Sequence, residues 1–472
     1  MTADVQRPRL AGMMFGQFLI LGSWIVTLAT YLMASPLKGG LAFSPSFTNW
    51  IYSSLAVAGI LCPLIVGLLA DRLFAAQKLM AVLHLVGGGL LLVAGAWTME
   101  RQQAIAEAFR DAASAESIDG IPLLEADRRF DAAPDRATED QRRLIKQAFD
   151  RVNASPAMAS ALGDTFYPLL AIMFLYSFCG VITITLSNVV AFRNLHDPQR
   201  SFGRVRLFGT IGWIVAGVQL ELFWDTISSV PLFVAGSLSL VFAVYCLFLP
   251  HTPPIGNHKS LADAFGLPAF TMFRERAFCV LVGCTLGIAA VQQFYSIYTN
   301  RFLNELNVPY PAAVQTVAQV AEVCCMMLLP VVLVRFGLKW TMTFGLVCWI
   351  VRNAVFASNA LPIVVGIGLP LHGISYAFFM IVASMFVDRQ APLRLRASAQ
   401  AIYTCVSLGM GTLLGNWISA QVVQAHTIGD IVDWQTVWLV PAGISAAILV
   451  VFVAFFRESV AVPVHARVDS PR

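Results

Sequence analysis

Three polar side chains with helical spacing lie in an otherwise apolar stretch, residues 311–336. Gln315, Gln319 and Glu322 are four and then three residues apart, so in a helix they share one face. Such a helix is long enough to cross a lipid bilayer. A carboxyl group can gain and lose a proton, and the two amides can hydrogen-bond a polar solute. The three residues therefore have the chemistry that a proton-coupled carrier requires.

The cost of placing Glu322 in lipid indicates where this face points. A charged side chain near the centre of a bilayer costs about 3 kcal/mol on insertion scales, so it normally faces a bundle interior or a water-filled cavity. The structural alternative is an interhelical hydrogen bond that only holds two helices together. The two neighbouring amides favour the functional interpretation.

Composition is typical of a polytopic membrane protein. The 472 residues are 58% hydrophobic and 12% charged, with a mean hydropathy of +0.72, against about 25% charged residues in soluble domains. The net charge of +4 is spread among loops, which argues against nucleic-acid binding. The nine cysteines lie in apolar runs without a C-x-x-C pair, so we interpret them as core residues and predict no metal and no cofactor.

Apolar runs of roughly 20 residues predict about twelve membrane spans. Basic residues are concentrated in alternate loops, so the positive-inside rule places those loops and both termini in the cytoplasm. We predict a monomer that crosses the inner membrane and has the lipid bilayer as its surroundings. The runs are 11–34, 47–70, 76–98, 165–192, 206–224, 229–250, 277–300, 311–335, 338–357, 360–387, 397–424 and 434–456.

A Pro-rich break after the sixth run divides the spans into two groups of six. This plan predicts an all-α major facilitator fold, in which two pseudo-symmetric bundles rock about a cavity at the membrane midplane. The predicted units are the N-terminal bundle (1–98 and 164–250), a charged periplasmic insert (99–163), a cytoplasmic central loop (251–276), the C-terminal bundle (277–457) and a cytoplasmic tail (458–472).

A motif between the second and third runs supports this fold. Gly67, Asp71 and Arg72 resemble the G-x-x-x-D-R loop of the major facilitator superfamily, although the further basic residues usual there are reduced to Lys78. Glycine lets two helices approach closely, and the aspartate can pair with arginine or cap a helix. The resemblance therefore implies a role in gating.

Charges of both signs are dense in the insert. Segments 104–113 and 138–152 have apolar residues at helical spacing, and Thr138 followed by Gln141 is typical of a capping box. We predict two short amphipathic helices that form a periplasmic cap. A partly disordered insert is the alternative.

Two other spans repeat the helical spacing of polar residues. Arg206, Thr210 and Trp213 share one face of the fifth span, and Gln293 and Ser296 share one face of the seventh. Aromatic rings near both faces can stack on a planar solute. The alternatives are helix packing and, for Arg206, a side chain that extends to the headgroups.

Arg352 in the ninth span must pair with an acid or reach water. Glu322 in the preceding span is its obvious partner, and this pair would form a proton-sensitive latch. The alternative is an arginine near a helix end that extends to the lipid headgroups.

At these residues the chain resembles the nucleoside:proton symporter family of the major facilitator superfamily. The resemblance covers nearly the whole length apart from the insert. The matching stretches are Gly22-Ser23-Trp24, Tyr52-Ser53-Ser54-Leu55, Arg206-x-x-Gly209-Thr210-Ile211-Gly212, Gln319-x-x-Glu322, Trp349-Ile350-x-Arg352, Arg396-Ala397-Ser398-Ala399-Gln400 and Asp433-Trp434-Gln435-Thr436-Val437-Trp438.

The resemblance implies a nucleoside cavity between the two bundles. From the residues themselves we predict Glu322 and Arg352 as the proton-coupling pair. The implied binding residues are Arg206, Thr210, Trp213, Gln293, Ser296 (where the family usually has asparagine), Gln319, Glu322 and Tyr376. One departure is Ala377, which replaces an aspartate that resembles a second protonatable group or an acceptor for ribose hydroxyls. Three explanations stay open: Glu322 alone carries the coupling, coupling is lost, or the solute is not a nucleoside.

We therefore predict a secondary transporter that takes up nucleosides with protons by alternating access. A symporter or facilitator for another polar metabolite, such as a sugar, is the alternative within this class. A membrane sensor that binds a ligand without transporting it is the alternative from another class. The metalloprotease, hydrolase and P-loop motifs H-E-x-x-H, G-x-S-x-G and G-x-x-x-x-G-K-[ST] are absent, so we predict no enzyme.

Overall fold

The computed structural model describes residues 3–69, 74–132, 138–254, 267–392, 395–428 and 431–457. Helices dominate this part of the chain. They are α1 (Ala3–Met33), α2 (Pro45–Leu69), α3 (Ala76–Ser114), α4 (Leu123–Ala132), α5 (Glu139–Ala154), α6 (Pro156–Asn194), α7 (Pro198–Phe223), α8 (Val230–Cys246), α9 (Arg276–Glu305), α10 (Pro311–Ala357), α11 (Leu361–Gln390), α12 (396–425) and α13 (Trp434–Phe455).

The shorter elements lie at the ends of these helices. They are the 3₁₀ helices Pro36–Lys38 and Leu267–Arg274 and the strands β1 (Ser117–Ile118), β2 (Ile121–Pro122), β3 (Thr427–Ile428) and β4 (Ile431–Val432), paired antiparallel as β1–β2 and β3–β4. Helices α11 and α12 also contain π-helical turns at Val364–Gly368, Tyr376–Ile381 and Cys405–Met410.

The described residues form 9 helices that are long and apolar enough to cross a membrane. One of them, α10, turns at Gly337, whose φ of 72° lies in the left-handed region that glycine enters without strain. The arms of α10 on either side of Gly337 are therefore two crossings. With α2 and the apolar helix α8, the structure agrees with the predicted number of about twelve.

The crossings form two halves. Helices α1–α3 and α6–α8 pack together, mainly through α1 against α7 and α3 against α6 and α8. Helices α9–α13 form the other half, mainly through α10 against α11 and α13 and α9 against α12. The halves meet where α1 contacts α9, α2 contacts α12 and α7 contacts α10. A pseudo-two-fold rotation that exchanges the halves places the α2–α12 contact on the α7–α10 contact, as expected for this kind of symmetry.

The two ends of this bundle are packed differently. We call the end where α1 begins the terminal end and the end where α3 leads into the insert the insert end. At the insert end one apolar core includes buried residues of both halves, among them Leu32, Phe109, Tyr298 and Trp438. At the terminal end each half has its own core, centred on residues such as Met80 and Phe386.

The insert is helical and ordered in its described parts. Thr138 and Gln141 form the predicted capping box at the start of α5, with both reciprocal hydrogen bonds present. The prediction for segment 104–113 was wrong, because these residues are the last turns of α3 and not a separate helix. Polar residues end the apolar run of α3 but do not break its backbone hydrogen bonds, so the helix continues beyond it.

The insert also connects the two halves. It is joined covalently to α3 and α6, and α5 packs against β3 beyond the end of α12. The Lys146 ammonium donates a 3.2 Å hydrogen bond to the carbonyl oxygen of Ala425. Within the insert, Arg151 binds both carboxylate oxygens of Glu116, at 3.0 and 2.7 Å.

Candidate functional site

A cavity of about 420 Å³ lies between the two halves. Helices α1, α2 and α7 form one wall, and α9–α12 form the other. Every residue that we predicted to bind substrate lines this cavity: Arg206, Thr210, Trp213, Gln293, Ser296, Gln319, Glu322 and Tyr376. The structure therefore brings together three spans whose polar faces were inferred from spacing and a fourth, with Tyr376, that was inferred from the family resemblance.

The α7 wall contributes the cationic group of the cavity. Close packing against α1 orients this helix, because Gly212 lies directly against the backbone of Phe15. The Arg206 guanidinium lies 4.0 Å from the centre of the Phe18 ring, a cation–π contact that holds it at the cavity wall. Arg206 is therefore a cavity residue rather than one that extends to the headgroups.

The α10 wall contributes the acid. Gln315, Gln319 and Glu322 all line the cavity, so the predicted polar face of this helix is confirmed. Gly373 of α11 lies against the backbone of Glu322, and a side chain at 373 would displace α10. The Oε1 atom of Gln319 is buried and has no hydrogen-bond partner among the described residues.

Glu322 and Arg206 place opposite charges in one enclosed space. They are close enough to attract each other electrostatically, yet the described part of the chain contains no ion pair between them. Each charge therefore keeps its hydrogen-bonding capacity for a third group. An ionised carboxylate can accept hydrogen bonds from hydroxyl groups, and the same group can take up a proton.

The α9 and α12 wall is a polar network. Gln293 donates to Thr412 Oγ1 over 3.4 Å, and Gln292 donates to Ser296 Oγ over 3.2 Å. The side-chain amide of Asn416 lies 3.2 Å from Ser53 Oγ of α2, which joins the halves at the cavity. These amides give the wall both donors and acceptors.

Arg352 does not form the expected pair with Glu322. No ion pair joins these two residues in the described ranges, and the expectation that Arg352 extends to headgroups is also wrong, because its side chain is 0% exposed. Its guanidinium donates to His372 Nδ1 over 2.8 Å. It also lies 4.1 Å from the centre of the Trp349 ring and 5.0 Å from that of Tyr295. Aromatic faces and a histidine replace the expected carboxylate.

The cavity residues outside our predicted binding set include a stacked pair of rings. His372 and Tyr295 both line the cavity, and their rings stack in parallel with centres 3.8 Å apart. A signal for His372 was present in the sequence, since it precedes the predicted Tyr376 by one helical turn. Stacking between residues of α9 and α11 depends on tertiary packing and leaves no such signal.

Two further predictions concern gating and metals. Gly67 lies in the last turns of α2, whereas Asp71 and Arg72 lie outside the described residues, so their gating role stays a prediction. In the parts of the chain that the structure describes, no three His, Cys, Asp or Glu side chains form a group that could hold a metal ion.

Comparison with known proteins identifies relatives over most of the chain. The model of a family described as "Nucleoside H+ symporter" matches residues 5–105 and 142–461, so the unmatched 106–141 fall within the insert. The putative nucleoside transporter YegT of Escherichia coli K12 is 28% identical over 470 residues, covering 96% of this chain and 94% of that protein. The xanthosine permease of the same organism is 28% identical over 470 residues, covering 95% of each.

A solved structure supports the architecture. The crystal structure of the nucleoside transporter NupG matches with a TM-score of 0.73 and 24% sequence identity, covering 97% of this chain and 100% of that chain. This likeness confirms the predicted all-α major facilitator fold.

Proposed function

Since this chain belongs to the nucleoside H+ symporter family, we propose that it carries nucleosides across the inner membrane together with protons, by alternating access. The chain is a membrane transporter for a small polar solute and protons, and not an enzyme.

The observation that carries the proposal is the composition of the cavity. Its volume of about 420 Å³ lies within the range of about 300–1,000 Å³ that is usual for small-molecule sites. It combines aromatic rings, side-chain amides, a guanidinium and an acid, and Glu322 is the one carboxylate among the described residues that line it. Aromatic faces suit a planar base, and a carboxylate suits vicinal hydroxyls.

We assign the roles by chemical type. Trp213 and Tyr376 stack on the base, whereas the amides of Gln293 and Gln319 hydrogen-bond polar atoms of the solute. Arg206, Thr210 and Ser296 complete the polar contacts. Glu322 accepts hydrogen bonds when ionised and carries the coupled proton when neutral, and Arg352 acts outside this step.

The orientation follows from the charge of the loops. We place the terminal end, with both chain termini, in the cytoplasm and the insert end on the outer face. In this orientation the structure is closed towards the outside, where the halves share a core. We further propose that the protein acts as a monomer, because one chain contains the complete cavity.

Uptake by the purified full-length chain in proteoliposomes tests the proposed function. Radiolabelled purine and pyrimidine nucleosides are compared with a pentose sugar, with and without an inwardly directed proton gradient. We expect nucleosides to accumulate above equilibrium only with the gradient. Equal uptake with and without the gradient would identify a facilitator. Preferential uptake of the sugar would overturn the nucleoside assignment, which the replacement of the family's aspartate by Ala377 leaves open.

The change Glu322→Gln tests the proton carrier. We expect gradient-driven accumulation to fall by more than about tenfold while nucleoside exchange persists, because glutamine keeps the size and polarity of the residue but cannot titrate. The matched control is Asp164→Asn, which removes an exposed acid paired with Arg101 at the insert end. Undiminished accumulation in Glu322→Gln would remove this residue from the mechanism.

A further inference from the structure

The contact between Arg352 and His372 determines which ring nitrogen carries the histidine proton. A guanidinium group has only donors, so His372 Nδ1 must be the acceptor in their 2.8 Å hydrogen bond. An accepting Nδ1 has no proton, and a neutral imidazole has one N–H. The proton of His372 therefore resides on Nε2.

The surroundings of the ring hold this arrangement in place. The His372 ring stacks on Tyr295 at an interplanar angle of 7°, and the same Tyr295 lies beneath the Arg352 guanidinium. A second guanidinium nitrogen of Arg352 donates to Asn353 Oδ1 over 3.4 Å. Ring flipping would break the bond to Arg352, so the ring has one orientation.

The Nε2 edge of His372 has no hydrogen-bond partner among the residues that the structure describes. His372 lines the cavity, and its hydrogen bond to Arg352 is the one that its ring forms with the described residues. An oriented N–H group on the cavity wall is therefore available to a solute.

We propose that His372 Nε2–H donates a hydrogen bond to a carbonyl oxygen of the nucleobase, and that Arg352 is the positioning residue that fixes this tautomer. The inference rests on the proposed function, because it presumes a nucleoside in the cavity. Ionised Glu322 only accepts hydrogen bonds and so pairs with sugar hydroxyls, whereas His372 can only donate here and so requires an acceptor on the solute. The site therefore selects bases with an oxo group over bases with an amino group at the same position.

Binding to the purified full-length chain tests this selectivity. The dissociation constants of inosine and adenosine, and of uridine and cytidine, are measured for the wild type and for His372→Phe. We expect the wild type to prefer the oxo member of at least one pair by about tenfold, because an amino group leaves the buried donor unpaired. His372→Phe keeps an aromatic ring on Tyr295 but should lower this ratio towards one.

His372→Gln is the matched control. Its amide oxygen can accept from Arg352 while its NH₂ group donates into the cavity, so the preference for oxo bases should persist. Thermal unfolding of both variants separates a loss of binding from a loss of folding. An unchanged ratio in a folded His372→Phe would overturn the inference.

The role of Arg352 has its own spectroscopic test. In ¹⁵N-labelled protein we expect His372 to show a protonated Nε2 and an unprotonated Nδ1 at neutral pH, and we expect this signature to be lost in Arg352→Met. A protonated Nδ1 in the wild type would overturn the inference whatever the solute is. If no nucleoside binds the wild type but the tautomer is as stated, the proposed function fails and the positioning by Arg352 stands.

Discussion

The two ends of the helix bundle differ in how the halves meet. At the insert end the halves share one apolar core and are joined by side-chain hydrogen bonds, such as that from Thr30 to Asn300 at 2.7 Å. Ser46 and Gln424 form another at 2.6 Å, and Glu221 accepts from the backbone N–H of Ala312 at 2.7 Å. At the terminal end the cores are separate.

This difference indicates which parts of the molecule rotate as units during alternating access and which contacts between the halves must break. The two terminal-end cores each belong to one half, so each half can rotate without repacking its own interior. Opening the insert end requires the shared core to divide and the hydrogen bonds across it to break. The cost of opening is therefore concentrated at the insert end.

A covalent link across the insert end should have the largest effect. In Thr30→Cys/Asn300→Cys, a short thiol-specific cross-linker joins α1 to α9 where their side chains are already in contact. We expect initial uptake in proteoliposomes to fall by more than about tenfold, because alternating access requires this end to open. A cleavable linker should restore uptake after reduction.

Each single cysteine variant treated with the same linker is the control for this experiment, and it also accounts for the 9 native cysteines. Full uptake by the cross-linked double variant would show that the insert end does not open during transport.

A bulkier residue at the crossing of α7 and α10 should have an intermediate effect. A Cβ atom at Gly217 would lie 2.8 Å from the Ala312 carbonyl oxygen, and such overpacking costs about 1–3 kcal/mol. We expect Gly217→Val to slow uptake by about tenfold and to raise the labelling of Ser46→Cys by an impermeant maleimide. Gly283→Val is the matched control, since no atom lies within 4 Å of its Cβ position. Similar losses in both variants would contradict the contrast between the two ends.

Loss of the ion pair between Glu116 and Arg151 should have the smallest effect, confined to the insert. Hydrogen bonds from Arg151 hold the pKa of Glu116 below its ordinary value of 4.5. A carboxyl whose pKa is lower in the folded state stabilises the fold above the ordinary pKa, and this contribution is lost as the pH falls through the folded value. We expect amide exchange at β1 and β2 to rise below about pH 4.5. Loss of this exposed pair by mutation at neutral pH should change transport by less than about twofold.

Arg151→Gln should produce the faster exchange already at neutral pH and remove its dependence on acidification. Arg129→Gln, which breaks a pair with Glu125 on the surface of α4, should leave the pH dependence of β1 and β2 intact. If neither acid nor Arg151→Gln changes the rate of amide exchange at β1 and β2, the pair contributes nothing to local stability.

Helical spacing predicted the cavity lining because it is a local property. The face of Gln315, Gln319 and Glu322 follows from the pitch of one helix, and lipid forces such a face inward wherever the helix packs. Hydropathy was a poorer guide to helix ends. It marks where lipid ends, whereas α3 and α6 continue beyond their apolar runs because backbone hydrogen bonding continues in water.

The surroundings of Arg352 could not be predicted from spacing. Its partner was sought among acids, since charge pairing is the commonest way to bury an arginine. The structure uses His372 and two aromatic faces from three different helices, a solution that depends on how α9, α10 and α11 approach one another. No pattern within a single helix contains that information.

Helix α5 belongs to one half by its chain connections and rests on the other through Lys146 and β3. Whenever the halves separate at the insert end, this contact between α5 and β3 must break as well, and it lies beyond the apolar spans. An antibody fragment that clamped α5 to the β3–β4 hairpin would therefore arrest the carrier without competing for its solute or entering the lipid. A pair of fluorophores placed on either side of the same contact would report each turnover as a change in distance.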